Sequence, residues 1–160
     1  MVNETSNPAS VVDEETFSVR RTIRIAASVD KVWRAVTEPE HISRWFGRTV
    51  LAGSGVGASG TMTFPDYGSI PLRVEEYDEP RLISYCWGND DAQSARPDAL
   101  DPATSTVFTF TLEPVDGGTQ LTVVETGFER TSAPLANLES HREGWNQELD
   151  KLVALVEGEA

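Results

Sequence analysis

The stretch over residues 140–158 constrains the fold most, because it has the pattern of a helix that needs a surface to pack on. Ser140 and Glu143 have the Ser-x-x-Glu spacing of a capping box, which predicts a helix start at Ser140. Gly144 lies in the first turns at a cost of roughly 1 kcal/mol relative to alanine, and a close backbone or ligand contact would explain it. The apolar stripe recurs every three or four residues and consists of Trp145, Leu149, Leu152, Val153 and Val156. Such a helix is unstable alone in water, so it must cover another element.

The sequence before this helix is mostly strand-like, which makes a sheet the expected surface. Residues 17–25 alternate apolar and polar side chains, and the period-two pattern returns over residues 49–126. Two short helices fill the gap between them: one follows a cap at Ser28, and the next begins at Pro39. A hairpin turn is predicted at residues 116–118. This order predicts an α+β fold with about six to seven strands.

The predicted sheet must curl to cover one long helix, and a curled sheet leaves room for an internal cavity. We expect a single domain over residues 17–158, preceded by a disordered tail over residues 1–16. Residues 89–103 are polar, show no period and exceed the usual length of a loop. They are interpreted either as a mobile lid at the cavity entrance or as plain disorder.

Composition excludes several classes of function. The formal net charge of −13 argues against binding nucleic acid or an anionic membrane surface, and no apolar run reaches the length of a membrane helix. With only two histidines and one cysteine, a metal site built from these residues is not expected, and no cofactor motif is visible. Cys86 has no partner for an internal disulfide, which favours a cytoplasmic location. The sequence leaves a homodimer open.

Two polar residues are candidates for a functional site. Glu125 is in phase with Leu121 and Val123 on the inner face of a strand, where it is either a cavity group or a wet residue at a frayed end. His141 lies one helical turn before Trp145, as a cap, as a core residue or as a hydrogen-bonding group at the cavity mouth. The candidate partners of Glu125 are His141, Arg142 and Arg21.

The aromatic residues are interpreted either as plain core or as the wall of an apolar pocket. The full set of candidate cavity residues is Trp33, Trp45, Phe46, Met62, Phe64, Leu72, Tyr85, Trp87, Phe108, Phe110, Val123, Glu125, His141, Trp145 and Leu149. No standard catalytic signature occurs in the chain, so the catalytic residues are unknown and an enzymatic activity stays open.

Four segments resemble a known superfamily: IAASVDKVWRAVTEPEHISRWF, PRLISYCW, TVFTFTLEPVDGGTQLTVVETGF and HREGWNQELDKLVALVE. The chain is similar over residues 17–157 to the START-like, or birch-pollen-allergen-like, helix-grip superfamily (SRPBCC; polyketide cyclase/dehydrase and lipid transport). Within it, the HREGW and SRWF segments resemble the branch named after the activator of the heat-shock protein 90 ATPase.

The resemblance implies a helix-grip fold, with a curled antiparallel sheet around the C-terminal helix. It also implies that the cavity binds a small hydrophobic or aromatic molecule. A cyclase- or hydrolase-type enzyme using Glu125 or His141 for proton transfer is the first alternative. The second is a stress-related or chaperone-associated regulatory protein.

Overall fold

The computed structural model of the chain describes residues 7–65, 68–89 and 100–158. Eight strands form one antiparallel sheet, which confirms the predicted α+β, helix-grip class but exceeds the six to seven strands expected. The strands are β1 (Val11–Asp13), β2 (Ser18–Ile25), β3 (Arg48–Ala52), β4 (Ser59–Phe64), β5 (Gly68–Asp78), β6 (Leu82–Trp87), β7 (Thr106–Val115) and β8 (Gly118–Thr126). The helices are α1 (Val29–Thr37), α2 (Pro39–Trp45) and α3 (Pro134–Gly158), with a 3-10 turn at Phe128–Arg130.

The sheet order is β1-β2-β8-β7-β6-β5-β4-β3, so an early strand lies beside the last strand of the sheet. The predicted hairpin joins β7 to β8, with Val115 paired to Gly118 and the turn at Asp116 and Gly117. Gly117 has a φ of +83°, which suits the left-handed backbone of such a tight turn. Alternation along β7 as far as Leu112, and along β8, sends every second side chain into the core beneath α3.

The two short helices begin where the sequence predicts them. The hydroxyl of Ser28 accepts a hydrogen bond from the backbone N–H of Lys31, and Pro39 occupies the first turn of α2. Both helices are tied to the core through side chains of large aromatic residues. Trp45 Nε1 donates to the carbonyl of Ala35 at 2.8 Å, and Tyr85 Oη donates to the carbonyl of Val36 at 2.6 Å.

Helix α3 is longer than predicted, because it begins at Pro134 rather than at Ser140. Proline is favoured in a first turn, where its missing N–H is not needed. Asn137 then donates its backbone N–H to Ala133, and its side-chain amide donates to the hydroxyl of Thr131. The predicted apolar face is present, with Trp145, Leu149, Leu152 and Val156 all buried against the sheet. None of the described helices combines the length and apolar character needed to span a membrane.

Part of the predicted disordered tail is ordered, which corrects that expectation. Residues 11–13 form β1, paired with residues 18–20 of β2. The side-chain oxygen of Asn146 on α3 accepts the backbone N–H of Ser10 at 2.7 Å, and Asn7 exchanges hydrogen bonds with the backbone of Arg24. Residues 1–6 and most of the predicted loop over 89–103 lie outside the described residues.

Arg21 holds the N-terminal segment against β2 and α3, although it does not pair with Glu125. Its guanidinium is buried, with 4% of the residue exposed. It donates to the carbonyls of Pro8, Trp145 and Asn146 and to the carboxylate of Asp150. One buried cation therefore joins the N-terminal segment, β2 and α3. The sequence places Arg21 on the inner face correctly, but its long side chain reaches the helix backbone rather than Glu125.

We expect Arg21→Met to lower the free energy of unfolding by about 1–3 kcal/mol, because it removes these charge-assisted hydrogen bonds but keeps an apolar stem. Urea denaturation measures the change. Arg20→Met is the matched control, because Arg20 is the next residue on the same strand and is exposed. Equal stability of the two variants would show that the Arg21 guanidinium does not hold the helix.

Candidate functional site

Glu125 is completely buried on β8 and accepts four hydrogen bonds, two on each carboxylate oxygen. Oε1 accepts from His141 Nδ1 at 2.8 Å and from Trp145 Nε1 at 2.9 Å. Oε2 accepts from Trp87 Nε1 at 2.8 Å and from Thr106 Oγ1 at 2.5 Å. An indole nitrogen can only donate, so this surrounding favours the ionised carboxylate. The sequence alternative of a wet Glu125 at a frayed strand end is therefore wrong.

The pKa of Glu125 is lowered from its ordinary value of 4.5 by this environment. Burial is the largest single influence, and it alone would raise the pKa by penalising the charged form. The charge of His141 and the hydrogen bonds from His141, Thr106 and Trp87 together outweigh it. Glu125 therefore stays ionised in the protein interior.

Strand parity and helical spacing bring these groups together. On the sheet, Glu125 pairs with Phe108 of β7, and Thr106 pairs with Trp87 of β6. Thr106 and Phe108 share a face of β7, as neighbours two apart do in a strand. On α3, His141 and Trp145 are one turn apart and point to the same side. The sequence argument for Glu125 and His141 rests on these same two periods.

Glu125 and its four hydrogen-bond donors, Trp87, Thr106, His141 and Trp145, form the Glu125 cluster. A cleft of about 220 Å³ opens beside this cluster, between α3 and the ends of β4 and β6. Its apolar wall consists of Phe46, Phe64, Trp87 and Trp145. The ring of Phe46 lies 5.6 Å from Trp87 and 5.4 Å from Trp145, measured between centroids. Glu125 does not line the cleft; it lies behind the two tryptophans and holds both indoles in place.

The polar part of the cleft comes mostly from one face of α3, where only His141 and Gly144 were expected from the sequence to meet a ligand. The residues are Asn89, Ser140, His141, Glu143, Gly144, Gln147 and Glu148. Those on α3 recur at spacings of three and four beside the apolar stripe, which is the pattern that would have identified them. Gly144 has open space where a Cβ would stand, so its small size leaves the cleft open. Glu148 forms an ion pair with Lys151 at 2.8 Å.

The other candidate cavity residues fall into two groups. Trp33 borders a second groove of about 690 Å³ between α1 and the strands β3, β5 and β6, where it meets the ring of Tyr77. The remainder are packed in the core at 3% exposure or less and do not line the cleft: Trp45, Met62, Leu72, Tyr85, Phe108, Phe110, Val123 and Leu149. For these eight, the plain-core interpretation fits their placement.

One further candidate partner of Glu125 lies elsewhere. Arg142 pairs with Glu139 on the outer side of α3 and does not reach the Glu125 carboxylate.

Cys86 is buried on the opposite side of β6 from Tyr85 and Trp87, and burial raises the pKa of its thiol. Within the described parts of the chain, no three His, Cys, Asp or Glu side chains come together as a metal site.

Comparison with protein families matches residues 26–157 to the family described as "Activator of Hsp90 ATPase homolog 1-like protein". Comparison with curated proteins gives no match. Among solved structures, MLL2253 from Mesorhizobium loti is similar at 26% identity and a TM-score of 0.73, with 89% of this chain and 98% of that chain covered.

Two more solved structures share the fold at lower identity. DynU16, from the dynemicin biosynthetic locus, is 23% identical with a TM-score of 0.69, and the match covers 88% of this chain but 47% of that one. CalU16 from Micromonospora echinospora is 19% identical with a TM-score of 0.63, and the match covers 94% of this chain and 84% of that one.

Proposed function

Since this chain belongs to the family of Activator of Hsp90 ATPase homolog 1-like proteins, we propose that it binds a small aromatic or hydrophobic molecule in the cleft beside α3. The observation that supports the proposal is the cleft itself, whose wall of four aromatic rings is held from behind by the buried, hydrogen-bonded carboxylate of Glu125. Ligand sites generally combine an apolar wall with a few fixed polar groups.

The Glu125 cluster makes the wall rigid. Each indole that faces the cleft donates its N–H to the same carboxylate, so neither ring can rotate without breaking a charge-assisted hydrogen bond. A wall that is already ordered loses little conformational entropy when a ligand binds. Glu125 thus positions the binding surface without contacting the ligand.

The volume limits the ligand. At about 220 Å³, the cleft is below the roughly 300–1,000 Å³ of sites for drug-sized molecules. We therefore propose a ligand with a single ring or a short alkyl body as the occupant of the described cleft, rather than a long lipid chain.

Gly144 offers a direct test. We expect Gly144→Leu to weaken binding of a one-ring probe, ethylbenzene, by roughly tenfold or more, because the new side chain grows into the cleft. The fold should be kept or slightly stabilised, since leucine is a better helix former than glycine by somewhat under about 1 kcal/mol. Binding is followed by NMR through the indole N–H signals of Trp87 and Trp145.

Ala154→Leu is the matched control, because Ala154 is an exposed position on the same helix and does not line the cleft. It should bind ethylbenzene as the wild type does. Unchanged ethylbenzene binding to Gly144→Leu would contradict the proposed function.

An enzymatic role is the second candidate, favoured by the position of His141 at the cleft. In that case His141 would transfer the proton, because Glu125 has both oxygens occupied and lies behind the wall. Release of a changed product from the cleft would separate an enzyme from a carrier. A chaperone-associated role, a cytoplasmic location and a homodimer stay proposals that rest on the family resemblance or on composition.

A further inference from the structure

The ring of His141 is placed so that both nitrogens meet acceptors. Nδ1 lies 2.8 Å from Glu125 Oε1, and Nε2 lies 3.0 Å from the backbone carbonyl oxygen of Asn89. A neutral imidazole has one donor and one acceptor nitrogen, so either tautomer would set a lone pair against one of these oxygens. Only the imidazolium donates to both, and the carboxylate of Glu125 balances its charge. The geometry therefore assigns His141 as a cation in the resting protein.

This cation is fixed in orientation. His141 is 4% exposed, and the ring of Phe128 meets it edge to face at a centroid distance of 5.0 Å. Trp87 contacts it in the same manner at 5.9 Å. Its Nε2–H therefore points in one direction, toward the carbonyl of Asn89, and both His141 and Asn89 line the cleft.

We propose that the ligand of this cleft carries a hydrogen-bond-accepting oxygen, such as a ketone, on its aromatic or apolar body. On binding, that oxygen replaces the carbonyl of Asn89 as the acceptor of His141 Nε2–H. This inference rests on the proposed function. The Asn89 carbonyl acts as the internal substitute for the ligand oxygen, and it leaves the donor satisfied while the cleft is empty of ligand.

The alternative ligand for the same cleft is a cation such as an amine, because aromatic rings and carboxylates both attract positive charge. Two contacts favour the acceptor instead. The buried charge of Glu125 is already matched by four donors, and Glu148 is paired with Lys151. Glu143, the other carboxylate that lines the cleft, is exposed to solvent, which screens its charge. The inner polar group that a ligand would meet is a donor.

Three one-ring probes of similar size test the chemistry: ethylbenzene has no polar group, acetophenone has a carbonyl, and benzylamine is a cation. We expect acetophenone to bind about tenfold more tightly than ethylbenzene, since a hydrogen bond to a charged donor is stronger than a neutral one. Equal affinities would overturn the inference but leave the proposed function standing, and tighter binding of benzylamine would overturn it in favour of the amine. Failure of all three to bind would contradict the proposed function itself.

Two substitutions of His141 separate its two nitrogens. His141→Asn keeps a donor near the Nδ1 position for Glu125 and removes the donor at Nε2. His141→Gln does the reverse. The preference for acetophenone should disappear in His141→Asn and persist at a reduced size in His141→Gln, because the glutamine amide is a neutral donor. A merely structural role would instead change ethylbenzene and acetophenone binding alike.

The wild-type protein gives the same test without any substitution. Nitrogen-15 NMR of the His141 ring should show both nitrogens protonated, and acetophenone should shift Nε2 much more than Nδ1. A neutral ring, or a shift confined to Nδ1, would overturn the inference even if both variants fail to fold.

Discussion

Glu125→Gln should lower the free energy of unfolding by about 3–5 kcal/mol, although it replaces one atom and keeps the shape of the side chain. Each carboxylate oxygen accepts one hydrogen bond from an indole N–H, which can only donate, so the new NH₂ group must face an indole donor whichever way the amide turns. The His141 imidazolium also loses its buried counter-charge. Both effects leave polar groups unsatisfied in a site that water does not reach.

Chemical denaturation of wild type and variant measures this loss. Glu139→Gln is the control, because Glu139 pairs with Arg142 on the exposed side of α3 and its loss should leave the denaturation midpoint almost unchanged. A Glu125→Gln protein as stable as the control would mean that the buried carboxylate contributes nothing to the fold.

We also expect the difference in unfolding free energy between wild type and Glu125→Gln to depend on pH. The pKa of Glu125 is lower in the folded protein than its ordinary 4.5, so the folded state holds the proton less tightly than the unfolded state. Its stabilising contribution is therefore complete above the ordinary pKa and is lost as pH falls through the lower, folded-state value. The difference in unfolding free energy between wild type and Glu125→Gln should shrink on acidification below about pH 4. A difference that stays constant would contradict the lowered pKa.

Trp145→Ala should destabilise the protein by about 3–5 kcal/mol, because it empties the centre of the α3 interface. The indole is 2% exposed and lies within 5.2 to 5.8 Å of the rings of Phe46, Phe108 and Phe110. The substitution also removes one of the four donors to Glu125.

Trp145→Phe separates packing from hydrogen bonding, since it keeps a ring and removes the N–H. We expect it to cost about 1–3 kcal/mol, which is the usual penalty when a buried acceptor loses a partner. Thermal unfolding measures both variants. A melting temperature of Trp145→Ala within about a degree or two of wild type would show that α3 does not cover the core.

The sequence predicted those parts of the fold that depend on a regular period. Alternation in β7 and β8 placed Phe108, Phe110 and Val123 inside, and helical spacing put His141 beside Trp145. These two periods also brought Glu125 and His141 to the same place, because parity fixes the face on which a side chain lies.

The parts that failed depend on contacts between distant segments. Strand β1 has three residues and no pattern of its own, and it exists through pairing with β2 and contacts to α3. The Ser140–Glu143 spacing suggested a cap, but the preceding turns find support from Thr131 and Ala133. Arg21 had the right face and the wrong partner, because sequence spacing does not show how far a long side chain extends.

The cleft was only partly predictable for a related reason. Aromatic residues that line it and aromatic residues that fill the core have the same pattern along the strands. Whether a ring such as Phe46 borders a space or closes it depends on three-dimensional packing. Gly144 was the one sequence feature that indicated the position of the cleft, because glycine destabilises the interior of a helix and its presence there calls for an explanation.

The pairing of β2 with β8 has a consequence for how the chain folds. Thr22 and Thr122 share a hydrogen bond although they are 100 positions apart, and the whole length of β2 is matched to β8 in this way. Closing so long a loop is entropically unfavourable, and topologies dominated by such contacts fold slowly. On the ribosome, β2 emerges long before β8 exists, so the edge of β2 that faces β8 stays unpaired until β8 has been made. Completion of the sheet is therefore a late step of biosynthesis.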